Sequence, residues 1–352
     1  MLYLDVIPQE LVMFSNLMDA ASGISDESSI VVSDEPIRLI GHTRTVTSLA
    51  ASQNDFLVSG SEDKTVKIWD VTTSRCINTL IGHTHTVNAL MVLPNNLIVS
   101  ASSDHSVRLW NALTIESSIS VYEHSRSVHA LAILPGNRLA TGSSDKSIKI
   151  WDLNTSACLL TLMGHADIIM ALTVLENGNL VSGSYDHTIK VWDVEKGRCE
   201  ATLLGHLYSV NALVVLPKNI LVSGSEDENI KLWDMHQMRC FLTIYAHFHT
   251  VTSLTVLGNA LLASGSIDGK IKIWDLASEE PVEIFQEKRP VMVMSLASLP
   301  NGLLASGSSS NTVMLYTPNA NVQSCFFVQS RSSANIFEIS NTEPSEIQPG
   351  NT

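Results

Sequence analysis

Short apolar stretches alternate with polar turns along most of this chain. VTSLAA from Val46, FLVSG from Phe56, VKIWD from Val66 and CINTL from Cys76 form one set. Apolar and β-branched segments split by SED and VTTSR predict four short strands joined by tight turns rather than helices. A four-stranded unit of about 40 residues cannot cover both of its own faces, so it needs neighbours of the same kind.

Those neighbours are written in the chain. Trp69, Trp110, Trp151, Trp192, Trp233 and Trp274 recur every 41 residues. His42, His83, His124, His165, His206 and His247 keep the same interval, as do Asp63, Asp104, Asp145, Asp186, Asp227 and Asp268. Three residue types held in register through six units identify a repeat architecture. A seventh unit, SLASLPNGLLASGSSSNTVMLY from Ser295, aligns with the sixth at a spacing of 42. It carries Arg289 in place of His, Ser310 in place of Asp and Tyr316 in place of Trp.

A unit such as GHTRTVTSLAASQNDFLVSGSEDKTVKIWD, running from a Gly-His pair to a Trp-Asp pair, resembles a WD repeat. The resemblance covers Pro36 to Thr317 and implies an all-β fold, a seven-bladed β-propeller of four-stranded antiparallel blades. It implies three parts: an N-terminal helical and polar extension at 1–35, the propeller at 36–317, and a C-terminal tail at 318–352. In this family the outermost strand of each blade comes from the start of the next repeat. Pro36 to Ile40 is therefore expected to close the last blade, with VQSCFFV at 322–328 as the rival for that edge. Pro36 suits an outer strand, which has one unpaired side.

The resemblance also implies that His, a hydroxyl, Asp and Trp form one buried hydrogen-bonded set in each blade. The hydroxyls are Ser59, Ser100, Thr141, Ser182, Ser223 and Ser264. Repetition around a ring reads these residues as framework, because a catalytic or metal site need not be copied in every blade. Cys76, Cys158, Cys199 and Cys240 likewise mark one outer-strand position in separate blades, too far apart for disulfides. With no paired-cysteine spacing and one His of each HxH pair taken by the framework, no metal site or cofactor is expected.

A net charge of −14 argues against nucleic acid and against an anionic membrane as partners. Met1 to Ser33 contains no Lys or Arg, so an export or transit signal is not expected. An odd count of five cysteines reads as reduced thiols, placing the chain inside the cell, in cytoplasm or nucleus.

Positions that differ between copies are free to serve function. They gather just after His and just before Asp. One arc is polar and partly basic, with Arg44, His85, Arg126 and His129. The other is apolar and aromatic, with Ile168, Met170, Tyr185, Tyr208, Phe248 and Ile267. An apolar arc suits partner proteins or peptides, unless these side chains only pack into neighbouring loops. The basic arc suits an acidic peptide, unless it is only a solvated rim. The expected function is a non-catalytic interaction scaffold or adaptor.

The alternative is a substrate-recognition subunit of a ubiquitin ligase. IPQEL resembles the opening of an F-box through Pro8, Glu10 and Leu11, and a Skp-type adaptor would then bind residues 1–35. That segment is long enough for a remnant only, and a helix packed on the ring is the plainer reading. The tail from Arg331, rich in Ser, Asn, Glu and Pro, is expected to be disordered.

Overall fold

The computed structural model describes residues 35–319, apart from 54–55, 95, 113–116, 122–123, 258–260, 277, 279 and 287–290. The F-box segment, the rival edge strand at 322–328, the expected disordered tail and Arg289 therefore lie outside the described residues. So do residues 1–34 as a whole.

The strands form seven four-stranded antiparallel sheets. Blade one uses Val46–Ala51, Phe56–Ser61, Thr65–Asp70 and Arg75–Ile81, in that order from inside to outside. Blades two to six repeat this over 87–121, 128–163, 169–203, 210–245 and 251–286. Blade seven takes three strands from its own repeat, Val293–Ser298, Leu304–Ser308 and Thr312–Tyr316. Its outer strand is Ile37–Ile40, paired from Ile37 opposite Leu315 to Ile40 opposite Thr312. The segment before the first Gly-His pair thus closes the ring.

The period follows from where apolar side chains go. Both faces of each blade bury against a neighbour, and seven buried clusters fill the seven seams. Each Trp sits in one of six seams; Trp69 packs with Leu39 and Leu315 between blades seven and one. The seam of blades six and seven holds Phe285 and Tyr316 instead, with ring centroids 4.7 Å apart.

Close approach explains the glycine of the second strand. A Cβ on Gly183 would stand 2.7 Å from Val210 Cγ1 of the next blade.

Closure at blade seven has further ties. Asn311 Nδ2 donates to the Thr43 carbonyl at 3.2 Å, and Leu49 N donates to Ser295 Oγ at 2.9 Å. At the other side of this blade, the backbone N of Asn319 donates to Glu283, whose carboxyl pKa is raised by burial.

Candidate functional site

The six repeated sets are continuous hydrogen-bonded arrays. In blade one, His42 Nδ1 donates to Asp63 Oδ2 at 2.7 Å, while Nε2 is hydrogen-bonded to Ser59 Oγ at 2.7 Å. Trp69 Nε1 donates to the same Ser59 oxygen at 2.7 Å. The carboxylate can only accept, so Nδ1 carries a proton, and the indole can only donate, so the Ser59 oxygen accepts from it. The same contacts recur in every blade from one to six, with Thr141 serving as the hydroxyl in blade three.

Carboxylate, imidazole and hydroxyl in that order resemble a hydrolase triad. Here the hydroxyl is sealed: Ser59, Ser100, Thr141, Ser182, Ser223 and Ser264 are fully buried. No substrate carbonyl can reach them, and the array serves as framework. Blade seven has no such array among the described residues. Its equivalent hydroxyl, Ser306 Oγ, is buried without a hydrogen-bond partner among them. The same substitution should therefore have opposite consequences in adjacent blades. Ser264→Ala breaks contacts to His247 and Trp274 and is expected to cost about 1–3 kcal/mol. Ser306→Ala removes an unpaired buried hydroxyl and is expected to be neutral or stabilising. Chemical denaturation of the two variants checks this, and equal losses would contradict it.

Electrostatics make the arrays sensitive to acid. Burial alone would raise the Asp145 carboxyl, but hydrogen bonds from Ser147 and His124 outweigh it and hold it at about 2. Asp227 and Asp268 also fall to about 2, again because contacts led by His206 and His247 outweigh burial. Asp63, Asp104 and Asp186 lie well below the usual carboxylate range by the same balance. These lowered carboxyls bind protons less readily in the ring than in the unfolded chain. Their stabilisation is fully present above the unfolded value of about 4 and is lost as pH falls through the folded values. His124 and His247 are lowered mainly by burial. They take up a proton less readily in the ring than in the unfolded chain, so stability begins to fall once unfolded imidazole protonates, below about pH 6.5. Melting temperature is expected to decline gently from pH 6.5 to 4.5 and steeply below 4, measured by circular dichroism. A flat profile down to pH 3 would contradict it.

The arrays also build one face of the ring. Each network Asp accepts a second bond from the backbone N just after His, as Asp227 does from Leu207 at 2.9 Å and Asp268 from Phe248 at 3.2 Å. The serine two residues before that Asp reaches back to the same loop: Ser61 Oγ donates to the Arg44 carbonyl at 3.1 Å, and Ser225 Oγ to that of Tyr208 at 3.3 Å. The loop after His and the turn around Asp are thereby fastened together in blades one to six.

Of the residues expected on this face, Arg44, His85, Arg126, Tyr185, Tyr208 and Phe248 are exposed. Phe248 is 81% exposed, Tyr208 55% and Tyr185 41%; Leu207 beside them reaches 73%. Ile168, Met170 and Ile267 are only half-buried, and Met170 lies within the inner strand Ile169–Val174 rather than on the loop. Burial, then the negative charges of Glu226 and Asp167, raise the Tyr185 phenol pKa.

Further exposed residues of this face are Lys64, His105, Lys146, His187 and Glu228. They directly follow the network Asp, where the copies read Lys, His, Lys, His, Glu and Gly. Disagreement between copies marks this position as it marked the two others. Arg126, Lys146 and His105 line an open cleft of about 740 Å³, together with Ser125, Ser127 and Asp167.

Fold and face define a β-propeller whose blades are pinned by repeated His, hydroxyl, Asp and Trp arrays. The family description "WD domain, G-beta repeat" matches residues 34–70, 74–111, 116–152, 156–193, 197–234 and 238–275. The chain belongs to the WD-repeat family, whose propeller is generally a non-catalytic protein-interaction fold. It is similar over 42 residues, at 55% identity, to Mitochondrial division protein 1 of Schizosaccharomyces pombe, covering 12% of this chain and 6% of that protein. Over 41 residues it is 54% identical to the Ribosome biogenesis protein BOP1 homologs of Drosophila erecta and Drosophila melanogaster, covering 11% of this chain and 5% of each. These likenesses are one repeat long and carry no particular role to this chain. Among the described residues no helix is long and apolar enough to cross a membrane, and no group of three metal-ligating side chains comes together.

Proposed function

We propose that this chain is a non-catalytic adaptor of the cell interior, holding partner proteins or peptides on the loop face of its propeller. The main contact is the sector of blades four to six, through Tyr185, Tyr208 and Phe248 with Ile168, Met170 and Ile267 beside them. The observation that carries this reading is the exposure of large apolar side chains at a position held by small polar residues in blades one to three. Phe248 and Leu207 stand where those blades carry Thr43, Thr84 and Ser125. Burying an exposed aromatic side chain against a partner is worth up to several kcal/mol at a binding hot spot. Leaving it in water contributes nothing to the ring.

The test is affinity purification with mass spectrometry on the wild type and the Tyr185→Ala, Tyr208→Ala, Phe248→Ala triple variant. The substitutions are at exposed positions, so circular dichroism should give closely similar melting curves. Selective loss of one or a few partners supports the reading. An unchanged partner set would remove it.

The cleft of Arg126, Lys146 and His105 favours a second reading, in which Arg44, His85 and Arg126 receive an acidic peptide of a ubiquitin-ligase substrate. That reading requires a Skp-type adaptor to copurify through residues 1–35, and its absence would count against it.

A further inference from the structure

The apolar sector is also acidic, in an arrangement that specifies the chemistry of what it holds. Blade five's turn carries Glu226 and Glu228 on either side of the network Asp227, and both glutamates are exposed. Backbone bonds fix this turn between two loop crossings. Glu226 N donates to the Ser209 carbonyl at 2.9 Å; on the other side Ala246 N and His247 N donate to the Glu228 carbonyl at 3.3 and 3.2 Å. The first crossing bears Leu207 and Tyr208, and the second bears Phe248. An acidic turn therefore lies between two crossings that carry exposed apolar side chains. Ser209 Oγ donates to Glu226 Oε2 at 2.8 Å and steadies that carboxylate.

The fold itself gives no reason for Glu228. Its backbone is held at φ 72°, as the equivalent positions are in other blades, and that conformation favours Gly or Asn. Gly269 and Asn311 occupy it in blades six and seven, His187 in blade four, and Lys64, His105 and Lys146 in blades one to three. Glu228 is the acidic side chain at this position, where blades one to four carry Lys or His.

We propose that this acidic turn and the apolar crossings beside it bind a segment of a partner protein in which Lys or Arg lies between apolar residues. The apolar residues seat against Leu207 with Tyr208 and against Phe248, and the cation pairs with Glu226 and Glu228. The inference rests on the adaptor reading and adds the class of its ligand. A cation beside carboxylates and aromatic rings gains from both, because the ring faces are negative as well. Nucleic acid and anionic lipid carry the wrong sign for this sector. The basic arc across the ring repels a cationic segment and so sets where it lands.

The test is a library of short random peptides displayed on phage, panned on the immobilised full chain. Enriched peptides are then titrated by fluorescence anisotropy against the wild type, Glu226→Gln/Glu228→Gln and Tyr208→Ala/Phe248→Ala. The expected peptides are net positive, with Lys or Arg flanked by apolar residues. Their affinity is expected to fall about tenfold or more for either double variant, the equivalent of about 1.4 kcal/mol or more, and to weaken as salt is raised. Circular dichroism confirms that both variants fold. Peptides that need Tyr208 and Phe248 but are neutral or acidic, or are indifferent to Glu226→Gln/Glu228→Gln, overturn this inference and leave the adaptor reading standing. Absence of any peptide that needs Tyr208 and Phe248 overturns both.

Discussion

A ring carrying Leu39→Asp is expected to lose its closing strand, and with it most of its thermal stability. Leu39 is 1% exposed and packs with Val313, Leu315, Val46 and Trp69 in the seam of blades seven and one. Shortening such a leucine to alanine costs about 2–5 kcal/mol. A carboxylate in its place adds the penalty of an unpaired buried charge, which is larger still. A folded domain has only about 5–15 kcal/mol to lose. The neighbouring substitution Ile40→Asp is the control. Ile40 lies in the same strand but is 73% exposed, so its change is expected to stay within about 0.5 kcal/mol. Thermal melts and limited proteolysis of the two variants make the comparison. Equal melting temperatures would mean that Ile37–Ile40 does not hold the ring.

Removing an indole is expected to have an effect of similar size, and two substitutions separate its causes. Trp233 fills the seam of blades four and five and donates to Ser223 Oγ at 2.8 Å. Trp233→Ala loses both packing and the donor, at about 3–5 kcal/mol. Trp233→Phe keeps most of the ring volume and loses the donor, leaving Ser223 its contact to His206; about 1–2 kcal/mol is expected. Urea unfolding gives both values. If the two variants lose the same amount, the hydrogen bond rather than the packing sets the cost, and the argument from seam volume fails.

The sequence carried the architecture because every blade must solve the same problem. Each seam needs a large side chain, so Trp recurs; each turn needs the same array, so His, hydroxyl and Asp recur with it. The candidate face was legible for the complementary reason, since positions that build nothing are free to differ between copies. Tyr185, Tyr208, Phe248, Arg44, His85 and Arg126 are all exposed. Lys64, His105, Lys146, His187 and Glu228 bear the same mark one position past Asp. Ile168, Met170 and Ile267 are less available than variation alone suggests, because variation does not report depth. Met170 varies while standing inside a strand, and Ile168 gives its carbonyl to Tyr185 N at 2.9 Å in a loop held close to the blade.

By itself, then, the sequence determined the unit, the number of blades and the residues that hold each one, all of which are local or repeat at fixed spacing. Only the tertiary structure decided which strand closes the ring, since Ile37–Ile40 meets Thr312–Tyr316 across almost the whole length of the propeller. It alone set Glu226 and Glu228 between the crossings of Tyr208 and Phe248. Those neighbours are separated by about twenty residues on either side, and the strand pairing of blade five, with Val210 opposite Ser225 and Asn229 opposite Tyr245, brings them together.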